Sequence, residues 1–181
     1  LWADEPFCNI LNACPDLYES TIVLNGVSKA YSMTGWRIGY AGGPESLIKA
    51  MKKIQSQSTS NPTTSSQAAA HAALEGDQIC VAEMLQAFKV RHDRVVAGLN
   101  TIDGVRCLPS QGTFYAFADI RGMIDRIDGV NNDVELAEYI LEHAEVALVP
   151  GSAFGCPGYM RLSFATSMEN LDEALRRLSQ L

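Results

Sequence analysis

Residues 24–43 read LNGVSKAYSMTGWRIGYAGG. One lysine, Lys29, sits there among small and polar residues. One arginine, Arg37, follows eight positions later, and Gly26, Gly35 and Gly39 surround both. A lysine that attacks a carbonyl to form an imine must be partly neutral near pH 7, which an ordinary lysine (pKa about 10.4) is not. Burial or a neighbouring cation supplies that shift. Arg37 offers such a cation, and its planar fork suits two-point contact with a phosphate. Ser28 and Ser32 add short hydroxyl donors, and the glycines permit tight turns and close backbone approach. This pattern fits Lys29 as the anchor of an aldehyde group in a Schiff base and Arg37 as the grip on a phosphate of the same molecule.

Outward from this stretch, residues 21–24 form an apolar run that predicts a buried strand ending at Asn25-Gly26, and residues 36–41 predict the next strand. Lys29 then lies on a loop leaving a rigid strand, where reactive residues concentrate. A bare Lys–Arg pair with this spacing fits two solvated charges equally well, and glycines alone fit ordinary turns.

The full string narrows the choice. Gly26-Val27-Ser28-Lys29, Ser32-Met33, Gly35 and Arg37-Ile38-Gly39 resemble the lysine signature of class I aminotransferases, of pyridoxal-phosphate fold type I. The wording SKAYSMTGWRIGYAGGP is most similar to the bacterial aspartate aminotransferase branch, which also holds aromatic and prephenate aminotransferases. The resemblance covers nearly the whole chain and implies the C-terminal part of such an enzyme. It implies an α/β fold: the C-terminal part of the cofactor-binding large domain over residues 1–76, a long bridging helix over 77–101, and an α+β small domain over 102–181. It also implies that Lys29 holds pyridoxal 5'-phosphate and acts as general base, and that Arg37 binds the phosphate with Ser28 helping. Some relatives carry a hydroxyl residue three positions before the lysine; Gly26 stands there in this chain. Asp4-Glu5-Pro6-Phe7 superficially resembles the family's Asp-Glu-x-Tyr string. Its spacing to Lys29 is too short and Phe7 lacks the hydroxyl, so it is rejected as a cofactor contact.

The 181 residues carry a net charge of −7 with no basic run, which argues against a nucleic-acid surface. The five cysteines form an odd set without CxxC spacing, which favours free thiols in a reducing cytoplasm over a disulfide framework or a metal site. No apolar run reaches membrane-spanning length.

Beyond the motif, Gly42-Gly43-Pro44-Glu45 reads as a stop and a helix start, with Pro44 in the first helical position. Leu47, Ile48, Met51 and Ile54 follow at helical spacing, with Lys49, Lys52 and Lys53 on a solvated face. Pro62 starts an Ala-rich helix closed by Gly76, in which His71 reads as a packing residue. Asp77 caps a long helix to about Leu99. Residues 105–108 and 113–120 read as strands, and Asp133 as the cap of a helix bearing Leu136, Ile140 and Leu141. Residues 146–149 make a short strand. In residues 159–164, Met160, Leu162 and Phe164 alternate with Tyr159, Arg161 and Ser163, so Arg161 points away from the apolar face. By itself that fits a surface arginine. The resemblance implies instead that Arg161, in Arg-Leu-Ser-Phe-Ala, binds a substrate α-carboxylate in a bidentate fork. Thr166 and Glu169 read as a capping box for the last helix.

The implied activity is amino transfer between an amino acid, aspartate as best guess, and a 2-oxo acid such as 2-oxoglutarate, in a cytoplasmic homodimer, with this chain inactive alone. Two alternatives stay open: another chemistry of the same fold, such as aromatic or prephenate transamination or carbon–sulfur lysis, and the pyridoxal-phosphate-sensing domain of a bacterial transcription regulator.

Overall fold

Asn9 opens the first helix with a capping box: its side chain accepts from the backbone N–H groups of Leu11 and Asn12 and starts α1 (Ile10–Ala13). A computed structural model describes residues 1–3 and 6–181; Asp4 and Glu5, from the rejected string, lie outside the described residues. The chain divides into two compact units, residues 6–83 and residues 1–3 with 84–181.

In the first unit, α1 is followed by a 3-10 turn over Pro15–Ser20, so residues 6–20 are more regular than their prolines suggest. Strands β1 (Val23–Gly26) and β2 (Gly39–Gly42) pair antiparallel as a two-stranded sheet, with Gly26 opposite Gly39. The strands are shifted from the expected spans. Thr34–Trp36 forms a 3-10 turn instead of strand, and the run expected to be buried is open: Val23 and Leu24 are exposed. The physical reason is that a two-stranded ladder satisfies the backbone without supplying a layer to cover its faces. Helix α2 (Glu45–Ser58) begins one residue later than expected, with Pro44 at the cap and a Glu45–Lys49 ion pair on its exposed face. Helix α3 (Thr64–Glu75) is capped by the Thr63 hydroxyl and closed at Gly76. His71 is exposed on it and packs into no core. Helix α4 (Ile79–Leu99) starts where the Asp77 carboxylate accepts from the Ile79 N–H, as the capping reading predicts.

The second unit carries a four-stranded antiparallel sheet in the order β3 (Arg106–Cys107), β4 (Tyr115–Asp119), β6 (Tyr159–Ser163), β5 (Val149–Pro150). Strand β5 is shorter and later than the expected 146–149, because only Val149 and Pro150 find ladder partners on β6. Helices α5 (Arg121–Arg126), α6 (Asp133–Ala144) and α7 (Met168–Leu178) complete the unit. One face of the sheet, through Ala116, Ala118, Met160 and Leu162, joins a single core with Val95 and Leu99 of α4, Leu136 and Ile140 of α6, and Leu171 and Leu175 of α7. Phe164 is fully buried within it.

Two caps differ from expectation. Asn132, not Asp133, caps α6, accepting from the N–H groups of Val134 and Glu135. Ser167, not Thr166, caps α7 and accepts from the Asn170 N–H. In both places the cap falls to the residue with extended backbone directly before the first helical turn, Asn132 (φ −155°, ψ 173°) and Ser167 (φ −71°, ψ 160°). No helix among the described residues is long and apolar enough to cross a membrane.

Candidate active site

The Gly26–Gly39 pair closes the mouth of the loop that holds the lysine motif. A Cβ on Gly26 would press on the Ile38 carbonyl at 3.3 Å, and one on Gly39 on the Asn25 carbonyl at 3.2 Å, so the two strands meet at a spacing that favours glycine. Gly35 meets nothing within 4 Å, so no close contact within the chain requires it. Val27, just inside the mouth, is fully buried and pins the start of the loop. Ser28 and Lys29 follow in a turn tied by hydrogen bonds from the Tyr31 N–H to the Val27 carbonyl and from the Ser32 N–H to the Lys29 carbonyl. Lys29 is exposed and Ser28 half-buried.

Arg37 sits at the other end of the same loop. Its backbone is left-handed (φ 49°, ψ 51°), an uncommon state for a residue with a Cβ. Such local strain persists where surrounding structure holds it and concentrates at functional positions. Part of the holding is visible. The Ser66 hydroxyl, buried at the start of α3, donates to the Trp36 carbonyl at 2.7 Å, directly before Arg37. The Arg37 guanidinium gives one of its five donors to the Thr34 carbonyl at 2.9 Å. An amine, a hydroxyl and a guanidinium are thus gathered on one loop between paired strands.

Arg161 lies in the second unit. As alternation predicts, Met160 and Leu162 point into the core and Arg161 to the opposite face. The surroundings of Arg161 were not read from the sequence. Its guanidinium lies between two rings, 4.3 Å from the Tyr115 centroid and 4.7 Å from that of Phe154. Period-two alternation on β4 and β6 already puts Tyr115, Phe117 and Arg161 on one face, a signal available in the sequence. Phe154 comes from a turn after β5 and had no such signal. Both rings and Arg161 line an open cleft of about 450 Å³ with Thr113, Ser110 and His92. His92 is buried, accepts from the Ser110 N–H at 2.9 Å and meets the Trp2 ring at a tilt with centroids 5.0 Å apart, so it is part of the cleft wall.

The fold agrees with that of known proteins. A family model described as aminotransferase class I and II matches residues 5–178, and the chain belongs to that family. It is 58% identical over 186 aligned positions to the aspartate/prephenate aminotransferase of Nitrosomonas europaea, covering 100% of this chain and 47% of that protein. Against the crystal structure of the aspartate aminotransferase from Rhizobium meliloti the TM-score is 0.94 at 46% identity, covering 99% of this chain and 46% of that one. Against the aromatic aminotransferase from Pyrococcus horikoshii it is 0.87 at 35% identity, covering 99% and 47%. The α/β fold is therefore that of the fold type I aminotransferases, and the chain spans less than half the length of these relatives.

Proposed function

We propose that this chain supplies the lysine and substrate-arginine part of a pyridoxal-phosphate-dependent aminotransferase that moves an amino group between aspartate and a 2-oxo acid, 2-oxoglutarate. The observation that carries the reading is the loop closed by Gly26 and Gly39, with Lys29 near one end and the left-handed Arg37 near the other. The residues present fit the cofactor: an amine for its aldehyde carbon, a guanidinium and the Ser28 hydroxyl for its phosphate, and strands paired at glycine at the mouth of the loop that carries them. When bound, pyridoxal phosphate supplies the electron sink that stabilises the carbanion left at the substrate's Cα.

The chain's own residues would then divide the work. Lys29 Nζ would anchor the cofactor until the substrate amine displaces it, then take the proton from the substrate Cα and deliver it to the carbon that had been the cofactor's aldehyde carbon. Arg37 and Ser28 fix the phosphate. Arg161 holds the α-carboxylate in a two-point contact and so sets which bond at Cα stands ready to break. Aspartate as donor follows from the chain's similarity to aspartate and aspartate/prephenate aminotransferases. Residues up to 76 form part of the large domain, 77–101 the bridging helix, and residues from 102 the small domain. A cytoplasmic homodimer is proposed with it, on the strength of the family resemblance.

The test is an amino-transfer assay on the complete protein, following oxaloacetate made from aspartate and 2-oxoglutarate. Lys29→Ala is expected to lower kcat by about 10²–10⁴-fold. Full activity in Lys29→Ala contradicts the reading.

A further inference from the structure

Asp133 is the one buried carboxylate among the described residues, 1% exposed, and the proposed reaction gives it no task. Nor does it cap its own helix, since Asn132 does that. Its carboxylate turns instead to a residue 19 positions away. Oδ2 accepts from the Ser152 backbone N–H and Oδ1 from the Ser152 hydroxyl, each at 2.6 Å. Burial by itself would raise the carboxyl's pKa. The Ser152 hydroxyl and the N–H groups of Ser152, Asp133 and Gly158 outweigh it, so the group is held below the usual aspartate value and stays ionised.

Ser152 lies in the 3-10 turn Gly151–Phe154, directly after β5. The turn is tightly built. Gly151 is buried where a Cβ would collide with the Cys156 carbonyl, and Gly155 turns the chain back at φ 72°. Its last residue, Phe154, is the ring over the Arg161 guanidinium, and it also meets Phe117 edge-on at 6.2 Å. Tyr115 covers the guanidinium at 4.3 Å. A guanidinium held by rings over its faces keeps its in-plane N–H edges for a planar carboxylate.

We infer that Asp133 is a positioning residue for carboxylate recognition: by clasping Ser152 it sets the Gly151–Phe154 turn, which holds Phe154 as one side of the aromatic clamp that aims Arg161. The inference rests on the reading that Arg161 takes the substrate carboxylate. The clamp's other side, Tyr115, is on a strand and needs no clasp. Phe154 is on a turn and about half-exposed, so its position depends on what ties the turn down.

The experiment uses the complete protein loaded with pyridoxal phosphate. It measures the Kd of maleate, an unreactive dicarboxylate, and separately the affinity for pyridoxal phosphate. The set is Arg161→Lys, Asp133→Asn, Ser152→Ala and Phe154→Leu. Arg161→Lys is expected to raise the maleate Kd by about 10–100-fold through loss of the fork. The other three are expected to raise it by about 3–30-fold, the size of one cation–π contact. Cofactor affinity stays unchanged in all of them, and KM for aspartate rises more than kcat falls. A merely structural role would weaken both ligands together. If Arg161→Lys weakens maleate while Ser152→Ala and Phe154→Leu do not, the inference fails and the Arg161 reading stands. If Arg161→Lys leaves maleate unchanged, the reading fails and the inference with it. Should Asp133→Asn not fold, Ser152→Ala and Phe154→Leu decide alone.

Discussion

Val23 and Leu24, on the strand leading to Lys29, leave 39% and 74% of their surface exposed, whereas Met160 and Leu162, flanking Arg161, leave 2% and 6%. Both arginine sites and the lysine were found from short strings, yet their supports differ. Arg161 stands on a sheet whose other face belongs to a core shared with four helices. Lys29 stands on a two-stranded ladder, held locally by Val27, the Gly26–Gly39 pair and the Ser66–Trp36 hydrogen bond. The lesson is that a chemical motif and the enclosure of its scaffold are separate properties. A motif is written in a few contiguous residues, while enclosure needs elements distant in sequence.

That difference can be broken by mutation. The largest effect is expected in the core of the second unit. Leu136→Ala should cost about 2–5 kcal/mol in urea unfolding of the 181-residue chain, from lost burial and the cavity left behind. Leu24→Ala should stay within about 0.5 kcal/mol, as an exposed change does. A cost above about 1 kcal/mol at Leu24 would mean that β1 is covered in solution, and the contrast would fall.

Next in size is Ser66→Ala. It leaves the Trp36 carbonyl without its hydroxyl donor and should destabilise the first unit by about 1 kcal/mol. Amide exchange read by mass spectrometry should show faster exchange across residues 31–38. Unchanged exchange there would show that the left-handed Arg37 is held by something else.

A smaller, pH-dependent effect belongs to Asp133. Its folded pKa is depressed, so its contribution is complete above the unfolded value near 3.9 and is lost as pH falls through the lower folded value. The stability gap between the parent chain and Asp133→Asn should be flat from pH 7 to 5 and narrow below about pH 4. A gap that persists unchanged through that acid range would contradict the clasp. The smallest effect is on the surface of α7. There Arg176 and Arg177 hydrogen-bond to Glu173 and lower its pKa to about 2. The sign is the same as for Asp133. Solvent and salt screen so exposed a group, so Glu173→Gln should shift the melting temperature least of all, and added salt should erase the shift.

Much of this was legible in the sequence because it is local. Lys29 and Arg37 share one string, and the alternation around Arg161 gives its face directly. Gly76 and Asp77 mark a helix end and a helix start without outside help. What escaped needed a partner far along the chain. Asp133 looks like a cap because nothing nearby reveals Ser152, 19 residues on. The contact of Phe154 with Arg161 shows only once its turn is folded. The apolar run at residues 21–24 signals burial, but the two-stranded sheet it joins provides no cover for Leu24. Thr166 and Ser167 are equally good caps on paper, and only the backbone path into α7 selects Ser167.

The central claim is that Lys29 is the anchor of pyridoxal phosphate. The most direct measurement is borohydride reduction of the complete protein in the presence of the cofactor, followed by peptide mass mapping. The account predicts a pyridoxyl group fixed on Lys29 and on no other lysine. A folded protein with no adduct at Lys29, or with the adduct on Lys49, Lys52 or Lys53 instead, would contradict it.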